Sequence, residues 1–190
     1  KLDELLEYKR QLAGDILNGA SDVDWRSIGI SDISPQDIAI TERLFTKEHL
    51  EGVSPELLEA FAAFYFNSLG YRVFITPQSD DKGVDVVAIH GQEGVLVQCK
   101  SSKSSSKDLG WDAIKDVVGG TAHYQKQFPD VTFRRACFTN RSFNQNAMEQ
   151  AELNSVELID QHALDRFIAD KKLTFSEIEK YLGTQGVVGI

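Results

Sequence analysis

Polar side chains stand in this sequence where apolar strands should run. In GVLVQCK (94–100) side chains two apart share a face, so Gln98 and Lys100 lie with Leu96, while Val95, Val97 and Cys99 point the other way. Lysine is almost never buried without a partner. A strand that emerges into solvent, with Lys100 snorkelling at its end, gives one account of the pattern. Asp85 inside GVDVVAI suggests another, because aspartate is disfavoured in strands and expensive to bury unless it is paired or bound to a cation. Gly83 lets the chain approach closely just before it. A hairpin joined near Gly91 to Glu93 sets Asp85 opposite or diagonal to Gln98–Lys100, so that a carboxylate, an amide and an ammonium meet at one end of a sheet. A capping aspartate at a strand edge is the plainer alternative. Glu59 is a third element. Positions three, four and seven beyond it are Ala62, Ala63 and Phe66, so its helix face is small or apolar and can bring one carboxylate to a sheet edge. A first-turn acid stabilised by the helix dipole also fits there.

The elements that must position these residues are legible from periodicity. Leucines and isoleucines at mixed three and four spacings predict an amphipathic helix over 1–18, ended by Gly19. Ser34-Pro35 and Ser54-Pro55 each place a preferred N-cap before a preferred first helical residue. They predict helices from Pro35 to about Lys47 and from Pro55 to about Leu69, the second stopped by Gly70. From Tyr71 the period is that of strands: 71–76, 83–90 and 94–100 form an expected antiparallel meander. A Ser/Lys-rich loop follows, then a helix over 109–127, a strand over 131–139, a helix over 144–153, a strand over 156–159 and helices across 161–182. A meander followed by two strand-helix-strand units implies an α/β fold, a mixed sheet with helices on both faces.

Composition bounds the function classes. The 190 residues are 42% hydrophobic and 26% charged, values typical of a soluble globular protein, and no apolar stretch approaches the roughly 18 residues of a membrane helix. Two cysteines in apolar runs read as reduced and buried, and four scattered histidines make a structural zinc site unexpected, which together suggest a cytoplasmic protein. The chain opens on Lys1 rather than Met, which suggests a trimmed terminus or an excised domain. A net charge of −9 argues against nucleic-acid binding by bulk charge. Its distribution is uneven, however. Residues 71–145 carry 10 positive against 8 negative side chains, while the flanking segments are acidic, and no acid occurs from Gly94 to Lys107.

Glu59 ahead of LGY (69–71), the SDDKGVDVVA segment, QCK at 98–100, and FTNRSFNQNAMEQA followed by VELID resemble the Mrr-like restriction endonucleases of the PD-(D/E)xK superfamily, over roughly residues 54–168. The resemblance implies a restriction-endonuclease-like mixed sheet over 54–170; outside the family pattern lie a helical extension over 1–53 and a C-terminal helix and tail over 171–190. It implies a metal-dependent DNA endonuclease with Asp85, Gln98, Lys100 and Glu59 as catalytic residues. Asp81 matches an accessory acid ahead of the Gly-x-Asp. Gln in place of the usual carboxylate is normal for this subfamily.

The chemistry so implied is metal-assisted phosphodiester hydrolysis with Mg²⁺, for which Mn²⁺ should substitute. Asp85 and the Cys99 main-chain carbonyl would ligate it, Gln98 would add a neutral oxygen, and Glu59 would act directly or through water. Lys100 would orient water and stabilise charge. Lys82, Ser101, Lys103, Lys107 and Gln145 are the expected DNA contacts, with Arg134, Arg135 and Arg141 as further candidates. The expected partners are DNA and either a second copy of the chain or a tethered helicase or DNA-recognition domain. A restriction or defence nuclease is the first reading. A junction-resolvase-like repair nuclease and a catalytically inert DNA-binding or assembly module are the alternatives.

Overall fold

Among the described residues, five strands form one sheet in the order β1-β2-β3-β4-β5. The computed structural model describes residues 43–77, 82–104 and 108–183. The helices expected over 1–18 and from Pro35 lie largely outside these residues, as does the tail from 184. Where the second expected helix enters the described region, residues 43–46 are not helical. Leu44 instead makes a β-bridge to Thr174, and helix α1 (Lys47–Glu51) starts behind Thr46, whose capping box with His49 ends any upstream continuation.

Helix α2 (Pro55–Ser68) begins as Ser54-Pro55 predicts, with the Ser54 hydroxyl accepting the Leu57 N–H. Strands β1 (Arg72–Ile75), β2 (Val86–His90) and β3 (Glu93–Lys100) make the antiparallel meander. A 3₁₀ turn (Trp111–Ala113) leads into α3 (Lys115–Gln127). Then come β4 (Thr132–Thr139), α4 (Gln145–Leu153), β5 (Val156–Ile159), α5 (Gln161–Lys171) and α6 (Phe175–Glu179). Strands β3, β4 and β5 run parallel, joined by the two helical crossovers that parallel pairing requires.

Period-two alternation divides the sheet between two cores. Val86, Ala88, Val95, Val97, Ala136 and Phe138 face α2 and the α5–α6 region, in a cluster that Phe45, Leu50 and Val53 complete. Val87, Leu96 and Cys137 face α3 and α4. The inner strands are therefore apolar on both sides, as buried parallel strands must be. The packing of Phe45, Leu50 and Val53 ties residues before Ser54 to the same core. Among the described residues no helix is long and apolar enough to cross a membrane.

Candidate active site

The backbone of Asp85 is held on both sides. Its N–H donates to the Val97 carbonyl (2.8 Å) and its carbonyl accepts the Thr76 N–H (2.9 Å). The Thr76 hydroxyl donates to the Val84 carbonyl at 2.5 Å. Val86 is paired with Val97, so Asp85, one residue earlier, stands beside Gln98. Both side chains are nearly buried, Asp85 at 9% exposure and Gln98 at 4%. One carboxylate oxygen of Asp85, Oδ2, accepts the Cys99 backbone N–H at 2.6 Å and the Gln98 side-chain amide. Two N–H donors on one carboxylate oxygen offset much of the desolvation of a buried charge. The same Gln98 nitrogen lies 3.2 Å from the Cys99 carbonyl. Gln98 thus turns nitrogen toward Asp85, where the sequence reading had it offering oxygen. A carboxylate oxygen accepts, so the amide N–H that faces it satisfies both groups.

Lys100 closes β3 on the same face. Its carbonyl accepts the Thr139 hydroxyl at 2.6 Å, and its ammonium lies 3.1 Å from Asp116 Oδ2 on α3. An open cleft of about 640 Å³ is bounded by Asp85, Gln98, Cys99 and Lys100 from the sheet, Lys82 and Gly83 from the preceding turn, and Lys115 and Asp116 from α3. It opens beyond the carboxyl end of β3, where the sheet changes from antiparallel to parallel pairing, a place where α/β sheets commonly bind ligands.

Two glycines let α3 form a wall of this cleft. Gly83 has φ +80°, and a Cβ there would sit 2.6 Å from the Asp116 carbonyl oxygen. A Cβ on Gly120 would sit 2.2 Å from the Lys82 carbonyl oxygen. The turn before Asp85 and the first turns of α3 therefore touch backbone to backbone.

Glu59 is half-buried on α2, against the opposite face of the sheet. It does not line the cleft, but its charge reaches Cys99. Burial first, then the Asp85 and Glu59 charges, hold the Cys99 thiol well above the usual range, so this sulfur stays protonated and is no nucleophile. Burial likewise pushes Cys137 up to about 12. Both cysteines are free.

The expected DNA contacts separate by position. Lys82 is exposed at the cleft rim and Lys103 is exposed beyond it, while Ser101 is half-buried. Asp81 and Lys107 lie outside the described residues. Gln145 is exposed at the start of α4, where it donates to Glu149 at 2.9 Å, away from the cleft. Arg141 is spent inside the fold. At 7% exposure it donates to the carbonyls of Ser102 (2.8 Å) and Glu51 (3.0 Å). Asn140 works with it, accepting the Ser102 N–H and donating to the Leu50 and Ser102 carbonyls. Arg134 pairs with Glu157, and the buried Arg135 Nε has no partner. Sequence reasoning missed Lys115 and Asp116. The available signal was the Gly119-Gly120 pair inside a helical pattern, which marks close backbone approach.

A restriction endonuclease family model, Mrr_cat, matches residues 50–168. The chain belongs to this restriction endonuclease family. Membership makes the domain a nuclease. Among solved structures, the fold of this restriction endonuclease domain is similar to that of MspJI restriction endonuclease in complex with a 27-mer oligonucleotide. The TM-score is 0.51 at 16% identity, covering 74% of this chain and 35% of that one. The DNA modification-dependent restriction endonuclease AspBHI aligns with TM-score 0.42 at 14% identity, over 86% of this chain and 48% of that one. A protein of unknown function, AF1548, aligns with TM-score 0.44 at 16% identity, over 67% and 66%. The domain thus spans less than two thirds of each of these chains. A search of curated proteins finds no match.

Proposed function

We propose that this domain hydrolyses DNA phosphodiester bonds with Mg²⁺, or Mn²⁺ in its place, as the nuclease module of a restriction or defence system. The observation that carries the reading is the convergence of Asp85, Gln98 and Lys100 on one open cleft of a restriction endonuclease domain.

The donor set suits a hard divalent cation. Asp85 Oδ2 and the Cys99 carbonyl, which lie about one Gln98 nitrogen, are hard oxygens of the kind a divalent cation takes. Among the described residues no three His, Cys, Asp or Glu side chains cluster. Mg²⁺ needs only one or two protein carboxylates when water and substrate phosphate complete its octahedron. Asp85 and the Cys99 carbonyl would hold the ion, and Glu59 would act directly or through water. When bound, such a cation supplies Lewis acidity to water and to the phosphoryl group.

The remaining roles fall to the chain itself. Gln98 orients Asp85, and turning its amide over would offer oxygen instead. Lys100 directs the attacking water and balances the charge that builds on the phosphate oxygens. Lys82, Ser101 and Lys103 take the backbone phosphates beside the cleft, Lys107 and Gln145 are further DNA contacts, and Asp81 is an accessory acid. The acidic net charge leaves DNA affinity weak and salt-sensitive, so a second copy or a tethered recognition domain supplies binding. Conversion of supercoiled plasmid in Mg²⁺ tests the reading. Asp85→Ala and Lys100→Ala should each lose about 100-fold or more in rate, as for removal of a charge-stabilising group, and EDTA should stop the native chain. Variants as active as the native chain would refute the assignment.

A further inference from the structure

We infer that Asp116 is a positioning residue of this nuclease site, holding the Lys100 ammonium at the height where it serves Asp85. The inference rests on the proposed role of Lys100. A lysine head on a four-carbon stem has many rotamers, so a lysine that must direct a water needs something to aim it. The Lys100 backbone is fixed by its register with Thr139 and by the Thr139 hydroxyl. Its head is paired with Asp116 Oδ2 at 3.1 Å.

Asp116 is itself tightly placed. Its backbone packs on Gly83, two residues before Asp85, and Gly120 packs on the Lys82 carbonyl of the same turn. One short turn therefore fixes both the carboxylate that meets the substrate and the helix that aims the lysine. Lys115, the neighbouring cation on α3, pairs outward with Asp112 at 2.7 Å, which leaves Asp116 to Lys100. The Lys100 and Asp116 side chains are 34% and 39% exposed. An ion pair this wet adds little to stability, so removing it should leave the fold intact and report on the site alone.

The test compares Asp116→Asn and Asp116→Glu with the native chain, Asp85→Ala and Lys100→Ala. Asp116→Asn should lose about 10- to 100-fold in kcat, the range for a misaimed group, with KM for plasmid and Tm unchanged. Asp116→Glu, which keeps the charge within reach, should recover part of that loss. In the metal-free protein the Lys100 Cε–Hε NMR resonance should narrow in Asp116→Asn as the side chain is released. Native kcat in Asp116→Asn overturns the inference. So does an unchanged Lys100 resonance, or a kcat loss matched by equal losses in Tm and DNA affinity. If Lys100→Ala is inactive while Asp116→Asn is not, only this inference falls. If Asp85→Ala and Lys100→Ala cleave like the native chain, the nuclease assignment falls with it.

Discussion

Two adjacent glycines in α3 should respond to the same substitution with opposite signs. Alanine is better than glycine inside a helix by about 1 kcal/mol, and by propensity alone both Gly119→Ala and Gly120→Ala should stabilise. Gly119 is exposed, and a Cβ there meets nothing within 4 Å, so the gain should be realised in full. Gly120 is buried, and its Cβ would lie 2.2 Å from the Lys82 carbonyl oxygen and 3.3 Å from Val84 Cγ2. Backbone must move to relieve that contact, and overpacking of this kind costs about 1–3 kcal/mol, enough to cancel or exceed the propensity gain. The net effect should be a loss of up to about 2 kcal/mol. For a chain of this size 1 kcal/mol corresponds to about 2–4 °C in Tm. Urea and thermal unfolding of the two variants should therefore show Gly119→Ala raised by about 2–4 °C and Gly120→Ala lowered by up to about 8 °C. Because the relief pushes α3 off the 82–84 turn, Gly120→Ala should also cleave plasmid more slowly. Equal stabilisation of both variants would refute the close packing of α3 on that turn.

Asn140→Ala should destabilise by about 1–3 kcal/mol in urea titration, because it removes the acceptor of the Ser102 N–H, while the Leu50 carbonyl keeps its backbone donors. Binding of short duplex DNA should weaken as well, since Ser101–Lys103 loses its anchor. Cys137, with its thiol pushed up to about 12 by burial, should resist alkylation at pH 8 until the chain unfolds. Its linkage has a definite sign. The unfolded thiol ionises first, so the contribution is fully present below the unfolded pKa, near 9, and is lost as pH rises from there toward 12. Cys137→Ala should flatten the fall of Tm with pH over that window, and an unchanged slope would count against the burial argument.

Much of the site was readable because strand chemistry is local. An aspartate and a lysine in apolar period-two runs are anomalies that burial energetics forbids without partners, and the 91–92 turn sets the register that brings Asp85 beside Gln98. Helix α2 was equally plain, since Ser54-Pro55 carries its own start signal. The start of α1 was not, because Thr46 with His49 is a weaker capping box than a Ser-Pro pair and competes with it only in context. Arg141 illustrates the other limit. An arginine after a strand suits a phosphate as well as it suits two carbonyls, and only the fold brings the Ser102 and Glu51 carbonyls within its reach.

From Pro55 onward, the sequence by itself determined the order and type of the described elements, the mixed sheet, and the pairing of Asp85 with the Gln98–Lys100 stretch, because periodicity and hairpin register depend on neighbours along the chain. The tertiary structure alone decided which face each carboxylate serves. It set Glu59 on the far side of the sheet and Asp116, from a helix sixteen residues past Lys100, against the lysine head. Contacts between separate elements depend on how closely backbones approach, and here two glycines allow α3 to touch the turn before Asp85, a distance that no residue pattern along one strand encodes.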